Sequence, residues 1–358
     1  MNVMPLERIP DYEMRIKRQD AFWDREILDR PTVCIMAPKP AEQQVPWPKK
    51  SFKTIRDRWM DAEAFADWVI ACVHNQDYYG DALPHGDPNL GPEVFSAFFG
   101  TELEYGETTS WSVPNLLDWK NADKLQFSED NFYWKKINEI TDVLLEKGRG
   151  KFYTGITDLH PGGDAIVAFR DPLRMNFDML DNPDEIKRLL RRVTDVYKKV
   201  YSFYVDKLIA GHQPVTAWPD IVSSKRWYVP SNDFSCMVSK EMFDEFFLPG
   251  IQEECRMCDA SIYHLDGPNA VQHLDSLLQI RELNAIQWVY GAGNGRASDW
   301  MHLYKKIQAA GKGIQLTLEA NELDYFMQEL RPNGVWLKLW AGSKEEAEAL
   351  LKKISTWC

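Results

Sequence analysis

The sequence predicts an α/β fold: a (β/α)8 barrel carrying an N-terminal extension. The first observation is an alternation, from about residue 150 onward, of short apolar runs with longer amphipathic segments, the pattern of βα units on a parallel sheet. The second is the position of those runs, at 151–157, 214–219, 260–267, 284–291, 313–319 and 334–340, to which 32–38 and the 99–107 region add the remaining strands of a closed ring. The third is an absence. An open doubly wound sheet, the rival arrangement, normally places a Gly-rich phosphate turn after a strand, and neither G-x-G-x-x-G nor a P-loop follows any of these runs.

Residues 1–90, rich in Trp, Pro and charge, are expected to form the extension, packed on a barrel of residues 91–358 within one structural domain. Their one helical stretch, 62–75, repeats apolar residues at three- and four-residue intervals. Later helices are signalled by their starts. Asn182 precedes Pro183, Asp184 and Glu185, a cap, a first-turn proline and acids at the positive dipole end, opening a helix expected to end near Gly211. Ser239 offers a capping hydroxyl to the next. Ser343 and Glu346 form a Ser-x-x-Glu capping box ahead of Ala347, Leu350, Leu351 and Ile354.

The chain has 358 residues, 44% of them apolar, and Lys+Arg 42 against Asp+Glu 54 leaves a formal charge of −12. That balance, without any basic run, argues against a nucleic-acid partner, which demands cations for its phosphates. No signal-type apolar region opens the sequence and no stretch reaches the ~18–20 apolar residues of a membrane span, so a soluble cytoplasmic protein is expected. Cys34, Cys72, Cys236, Cys255, Cys258 and Cys358 follow no disulfide framework and read as reduced thiols. Cys255 and Cys258 make a C-x-x-C inside an expected helix, not at the exposed helix start that redox chemistry uses.

In a barrel, polar residues at the carboxyl ends of strands face one mouth. That rule gathers Asp158, His160 and Asp164, then Trp218 and Asp220, His264 and Asp266, Trp288 and Tyr290, and finally Glu319. Alternation puts His264 and Asp266 on one face, where imidazole and carboxylate can ligate zinc or another divalent metal, or else pair to hold the Gly267-Pro268 turn. Asp158 and His160 share that spacing, and His160 is the candidate proton shuttle. Glu319 reads as a ligand, a general base or a helix-dipole partner. His273 reads as a satisfied helix residue. Large aromatics at strand ends, Trp218, Trp288 and Trp340, would wall an apolar or cationic ligand.

The segments Asp77-Tyr-Tyr-Gly-Asp81, Phe98-Phe-Gly-Thr-Glu102, Gly155-Ile-Thr-Asp158, Ser231-Asn-Asp-Phe-Ser235, Ser239-Lys-Glu-Met-Phe243 and Tyr263-His-Leu-Asp-Gly267 carry a resemblance. Over most of residues 75–355 the chain resembles the uroporphyrinogen decarboxylase superfamily, and more narrowly its branch near the corrinoid-dependent methyltransferases. The resemblance implies a single (β/α)8 barrel. True decarboxylases of that superfamily grip their substrate with an Arg-Gln-Ala-Gly-Arg segment; residues 29–38 hold Arg30 but lack it. Methyl-transferring members hold zinc through His-x-Cys and a later Cys. Here His264 matches the first ligand, Asp266 stands at the second, and residues 335–342 contain no cysteine, leaving a harder, oxygen-richer site.

The implied function is methyl transfer between a small methylated amine or ether and a corrinoid carried on a separate protein. Its catalytic residues would be Asp158, His160, His264 and Glu319, its substrate-binding residues Trp218, Asp220, Trp288 and Tyr290, and its metal ligands His264 and Asp266. A decarboxylase or lyase acting on a small carboxylic acid is the second expectation, with Arg170, Arg174, Lys225 and Arg226 as its cations; a non-catalytic ligand-binding barrel is the third. Expected partners are a small-molecule substrate, zinc or another divalent metal, and a corrinoid protein, with a homodimer left open and no nucleic acid or membrane.

Overall fold

The computed structural model describes residues 3–357; Cys358 lies outside them. In chain order the strands are β1 (Thr32–Pro38), β2 (Gln76–Gly80), β3 (His85–Gly86), β4 (Glu102–Tyr105), β5 (Ser110–Val113), β6 (Tyr153–Thr154), β7 (Val215–Thr216), β8 (Val222–Ser223), β9 (Trp227–Tyr228), β10 (Ala260–Asp266), β11 (Ala285–Val289), β12 (Gly313–Thr317) and β13 (Val335–Trp340). Seven of them form one sheet in the order β2-β1-β13-β12-β11-β10-β9. All its neighbours are parallel except the antiparallel edge strand β2. The molecule is thus a mixed α/β protein around a mostly parallel sheet.

Strand pairing among the described residues does not close this sheet into a ring. β3 pairs with β6, and β7 with β8, as separate two-stranded pieces. Backbone hydrogen bonds extend these contacts: Gly155 donates to the Gly86 carbonyl (3.0 Å) beside the β3–β6 pair, Ile156 to that of Thr216 (2.9 Å), joining this pair to β7, and His264 to that of Pro230 (3.0 Å), prolonging the β10–β9 edge. The apolar runs at 151–157 and 214–219 condense to two residues each. At Gly155 the backbone crowds the Asp87 carboxylate and the Thr216 carbonyl, leaving no room for a Cβ.

Three expectations need correction. The 99–107 region stays out of the main sheet, because the chain reverses at Gly106, whose amide donates to the Thr109 carbonyl, and β4 pairs antiparallel with β5. Asn182 does not cap the helix Pro183–Ala210; the helix Pro172–Asp181 ends against it and draws its Nδ2 to Asp178 Oδ1 (2.9 Å). Ser343 caps the helix Lys344–Ile354 through the Glu346 amide, but Glu346 returns its carboxylate to the Gly342 amide, one residue before the box position.

Residues 1–90 supply β1 and β2 to the sheet, together with the helices Tyr12–Trp23 and Ala62–His74. Gln19 of the first helix donates to the Asp81 carbonyl (2.9 Å) and accepts from the Val222 amide (2.7 Å), while Trp23 donates to Ser223 Oγ (3.1 Å). The fully buried Asp81 carboxylate binds Arg30 and the Val33 amide, tying the turn after β2 to β1. Among the described residues no helix is long and apolar enough to cross a membrane.

Candidate active site

Alternation along β10 turns Ile262, His264 and Asp266 to one face, and the parallel register sets His264 beside Gln287 of β11, itself beside Gln315 of β12. A hydrogen-bond relay runs through these three. Gln315 Nε2 donates to the Pro219 carbonyl (2.5 Å) and Gln287 Nε2 to Gln315 Oε1 (2.7 Å), leaving Gln287 Oε1 to accept from His264 Nδ1 (2.6 Å). Neutral His264 therefore keeps its hydrogen on Nδ1 and turns the Nε2 lone pair toward Asp233 Oδ1, 4.0 Å away. Trp218 meets the imidazole edge-on, with ring centroids 5.0 Å apart.

His160 forms the second centre. Its Nε2 faces Asp158 Oδ1 at 3.0 Å; its Nδ1 faces Ser231 Oγ at 3.1 Å, Asp164 Oδ2 at 3.5 Å and Asp233 Oδ2 at 4.0 Å. Burial alone would lower the pKa of His160, but the Asp158 charge and hydrogen bonds to Asp158 and Asp164 hold it well above the ordinary imidazole value. Burial, with the carboxylates of Asp164 and Asp266, raises that of Asp233. Asp164 accepts from the amides of Asp233 (3.0 Å) and Phe234 (2.9 Å), which pins the 231–235 segment between the two histidines. Cys236 follows directly, its thiol pushed up by burial and the Asp233 and Asp266 charges.

Asp158 and Trp218 also line a cavity of about 360 Å3 whose walls include Trp59, Phe65, Trp68, His85 and Asp87. His85 lies 3.0 Å from Asp220 and 3.5 Å from Asp87, and Lys338 pairs with the other Asp220 oxygen. Burial opposes the charge on His85, yet Asp87 and Asp220 push its pKa up to about 10. Burial likewise opposes ionisation of Asp220, whose carboxyl His85 and Lys338 nevertheless hold below the usual range. Asp220 sits at φ +64°, a left-handed conformation uncommon outside glycine and concentrated at functional sites. In the cavity wall, Trp218 Nε1 and Asp87 Oδ1 are buried without a hydrogen-bond partner. Such walls call for a polar occupant.

The remaining predicted residues lie elsewhere. Trp288 is in register with Leu265, so strand parity places it on the face opposite His264, where it packs on Trp300 at 5.0 Å. Tyr290 shares that parity and sits with Glu322 and Glu319, whose charges add to burial in raising its pKa. Glu319 is exposed ahead of the turn Ala320–Glu322 and belongs to neither histidine group. His273 holds Nε2 2.9 Å from the Ser235 carbonyl and stacks on Phe243, while its Nδ1 is buried without a hydrogen-bond partner. Burial pushes both Cys255 and Cys258 up to about 12, far from a reactive thiolate. The four cations of the decarboxylase reading are engaged elsewhere: Arg170 by Asp178, Arg174 by Asp171, Lys225 by Asp24 and Arg226 by Asp206.

The nitrogen and oxygen donors at the histidines fit a divalent metal. Ligand atoms of Asp233, His264 and Asp266 lie within 4.8 Å of one another. The Gln287 contact supplies the orienting partner that ligating histidines normally keep.

No family model matches the chain, and no curated protein does. Among solved structures, a methyltransferase from Methanosarcina mazei aligns over 95% of this chain and 98% of its own, with a TM-score of 0.59 and 13% identity. The likeness is one of fold. It extends over nearly the whole of both chains.

Sequence reasoning passed over Asp233, Gln287, Gln315, His85 and Lys338. Gln287 and Gln315 did leave a signal: each interrupts an apolar strand with a polar residue, Ile286-Gln287-Trp288 and Ile314-Gln315-Leu316, and a glutamine at a buried strand position needs a partner. Asp233 left none, since only the tertiary fold brings it to both histidines.

Proposed function

We propose that the chain is a (β/α)8-barrel methyltransferase that moves a methyl group from a small methylated amine or ether to a corrinoid on a separate protein. The single observation behind this reading is the cavity itself: Asp158, bonded to His160, and Trp218, packed on His264, line the same space. The backbone bonds that link β3, β6 and β7 outside the main sheet support a barrel, and the fold likeness to a methyltransferase agrees with it.

In methyl transfer the carbon leaves nitrogen or oxygen without the bonding pair and joins the acceptor's nucleophile; a methylated ammonium departs as a neutral amine, whereas a methyl ether leaves an alkoxide or phenoxide that needs a proton. His160, whose pKa Asp158 and Asp164 hold well above the ordinary imidazole value against its burial, supplies that proton. Trp59, Phe65, Trp68 and Trp218 offer ring faces to a methylated cation, and Asp87 and Asp158 offer charge. His264, Asp266 and Asp233 would hold a divalent metal, whose Lewis acidity would polarise the departing heteroatom. The decarboxylase alternative loses its support, as its four candidate cations are paired away from the cavity.

The test is incubation of the full chain with cob(I)alamin and, in turn, trimethylamine, tetramethylammonium and a methoxybenzene, following methylcobalamin by absorbance. We expect turnover with at least one donor, and His160→Gln to lower it by about 10²-fold or more. No methylcobalamin from any donor, or turnover untouched by His160→Gln, would refute the proposal.

A further inference from the structure

We infer that His160, Asp164 and Asp233 form a second divalent-cation position, with the Asp233 carboxylate bridging it to the first. This deepens the preceding reading, in which His264 and Asp266 hold one ion. The argument starts from how Asp233 is shared: Oδ2 lies 4.0 Å from His160 Nδ1 and Oδ1 lies 4.0 Å from His264 Nε2. Both separations are too long for a hydrogen bond. They suit two donors on one ion, because ligands at about 2.0–2.2 Å from a metal stand roughly 3–4 Å from each other. Asp164 Oδ2, 3.5 Å from His160 Nδ1, falls in the same range.

Each imidazole presents one nitrogen to Asp233 and has the other engaged. His160 Nε2 is held by Asp158 at 3.0 Å and His264 Nδ1 by Gln287 at 2.6 Å, the arrangement that orients a ligating histidine. Asp164 is fixed by two backbone amides and retains a lone pair on each oxygen. Without the ion, His160 is the proton donor of the preceding reading, its Nδ1 3.1 Å from Ser231 Oγ; an ion bound there takes the place of the Nδ1 proton and leaves the Nε2 hydrogen on Asp158. Two ligand groups that share one carboxylate crowd three acids, Asp164, Asp233 and Asp266, against two imidazoles, an excess of negative charge that cations relieve. One nitrogen and several oxygens per ion, with no sulfur ligand, favour manganese or cobalt and still admit zinc. A shared carboxylate would set the ions about 3.5–4 Å apart.

The metal-free full chain titrated with Mn²⁺ decides the matter, with bound metal counted after dialysis and the electron paramagnetic resonance spectrum recorded. We expect about two ions per chain and an exchange-coupled signal. His160→Ala and His264→Ala should each reduce binding to about one ion and abolish the coupling, with circular dichroism confirming the fold. The wild-type spectrum carries the test if a variant fails to fold. One ion retained in His160→Ala and lost in His264→Ala, with no coupled signal in the wild type, would overturn the second position and leave the first. No bound manganese would overturn both, while methyl transfer is assayed separately.

Discussion

Glu254 shows most plainly what burial does to a single residue. It is 2% exposed, its Oε2 has no partner, and burial with the nearby Asp164 charge raises its pKa from 4.5 to about 8. The sign of the consequence follows from linkage. Below pH 4.5 both folded and unfolded chains carry the proton; above it the unfolded chain ionises first, so stability falls as pH rises and the loss is complete above about pH 8. Glu254→Gln should flatten this dependence and stabilise the protein at pH 9 by on the order of a few kcal/mol. Urea unfolding of both proteins at pH 5 and 9 checks it, and parallel pH profiles would contradict it. Gln287 acts through His264. Replacing it by leucine removes the acceptor at Nδ1 and should weaken divalent-metal binding by roughly 10–100-fold with the fold intact; dialysis against buffered Zn²⁺ would expose unchanged affinity as the failing result.

At the scale of elements, caps and parity separate what is local from what is not. The helix Phe132–Lys147 begins at Asn131, whose Oδ1 accepts from the amides of Tyr133 (2.8 Å) and Trp134 (3.1 Å). Asn131→Ala should cost about 1–2 kcal/mol and Asn131→Ser much less, because a hydroxyl still accepts; equal losses in chemical denaturation would show that the cap is not the cause. Asn182, with Pro183 and two acids after it, has the fuller sequence signature and makes no cap, since a preceding helix ends on it. Parity along β10 was legible: His264 and Asp266 do share a face. Along β11 the expectation of Trp288 at the site has the wrong parity: the polar Gln287 interrupting the apolar run is the residue that stands beside His264.

For the whole molecule, the ties between the first ninety residues and the sheet matter most. Asp81 is fully buried and receives Arg30 through two nitrogens and the Val33 amide, in one knot joining β1 and the turn after β2. Asp81→Ala leaves a buried guanidinium without its partner and should cost about 3–5 kcal/mol. Breaking the exposed Arg58–Glu107 pair through Glu107→Ala should cost about 0–1 kcal/mol. Matched denaturation curves measure both, and similar losses would deny the knot its role.

From its own pattern the sequence determined the α/β class, the long strands β1 and β10 to β13, the start of the helix Ala62–His74, the shared face of His264 and Asp266 and the proximity of His160 to Asp158. These are short-range matters, set by side-chain period and by neighbours a few residues away. The tertiary structure alone decided that Asp233 stands between histidines 160 and 264, that Gln287 and Gln315 orient one of them, and that Trp288, Tyr290 and Glu319 take no part in the group. A carboxylate whose two oxygens face residues seventy-three positions before it and thirty-one after it is placed by loop closure and packing, and no local period encodes that placement.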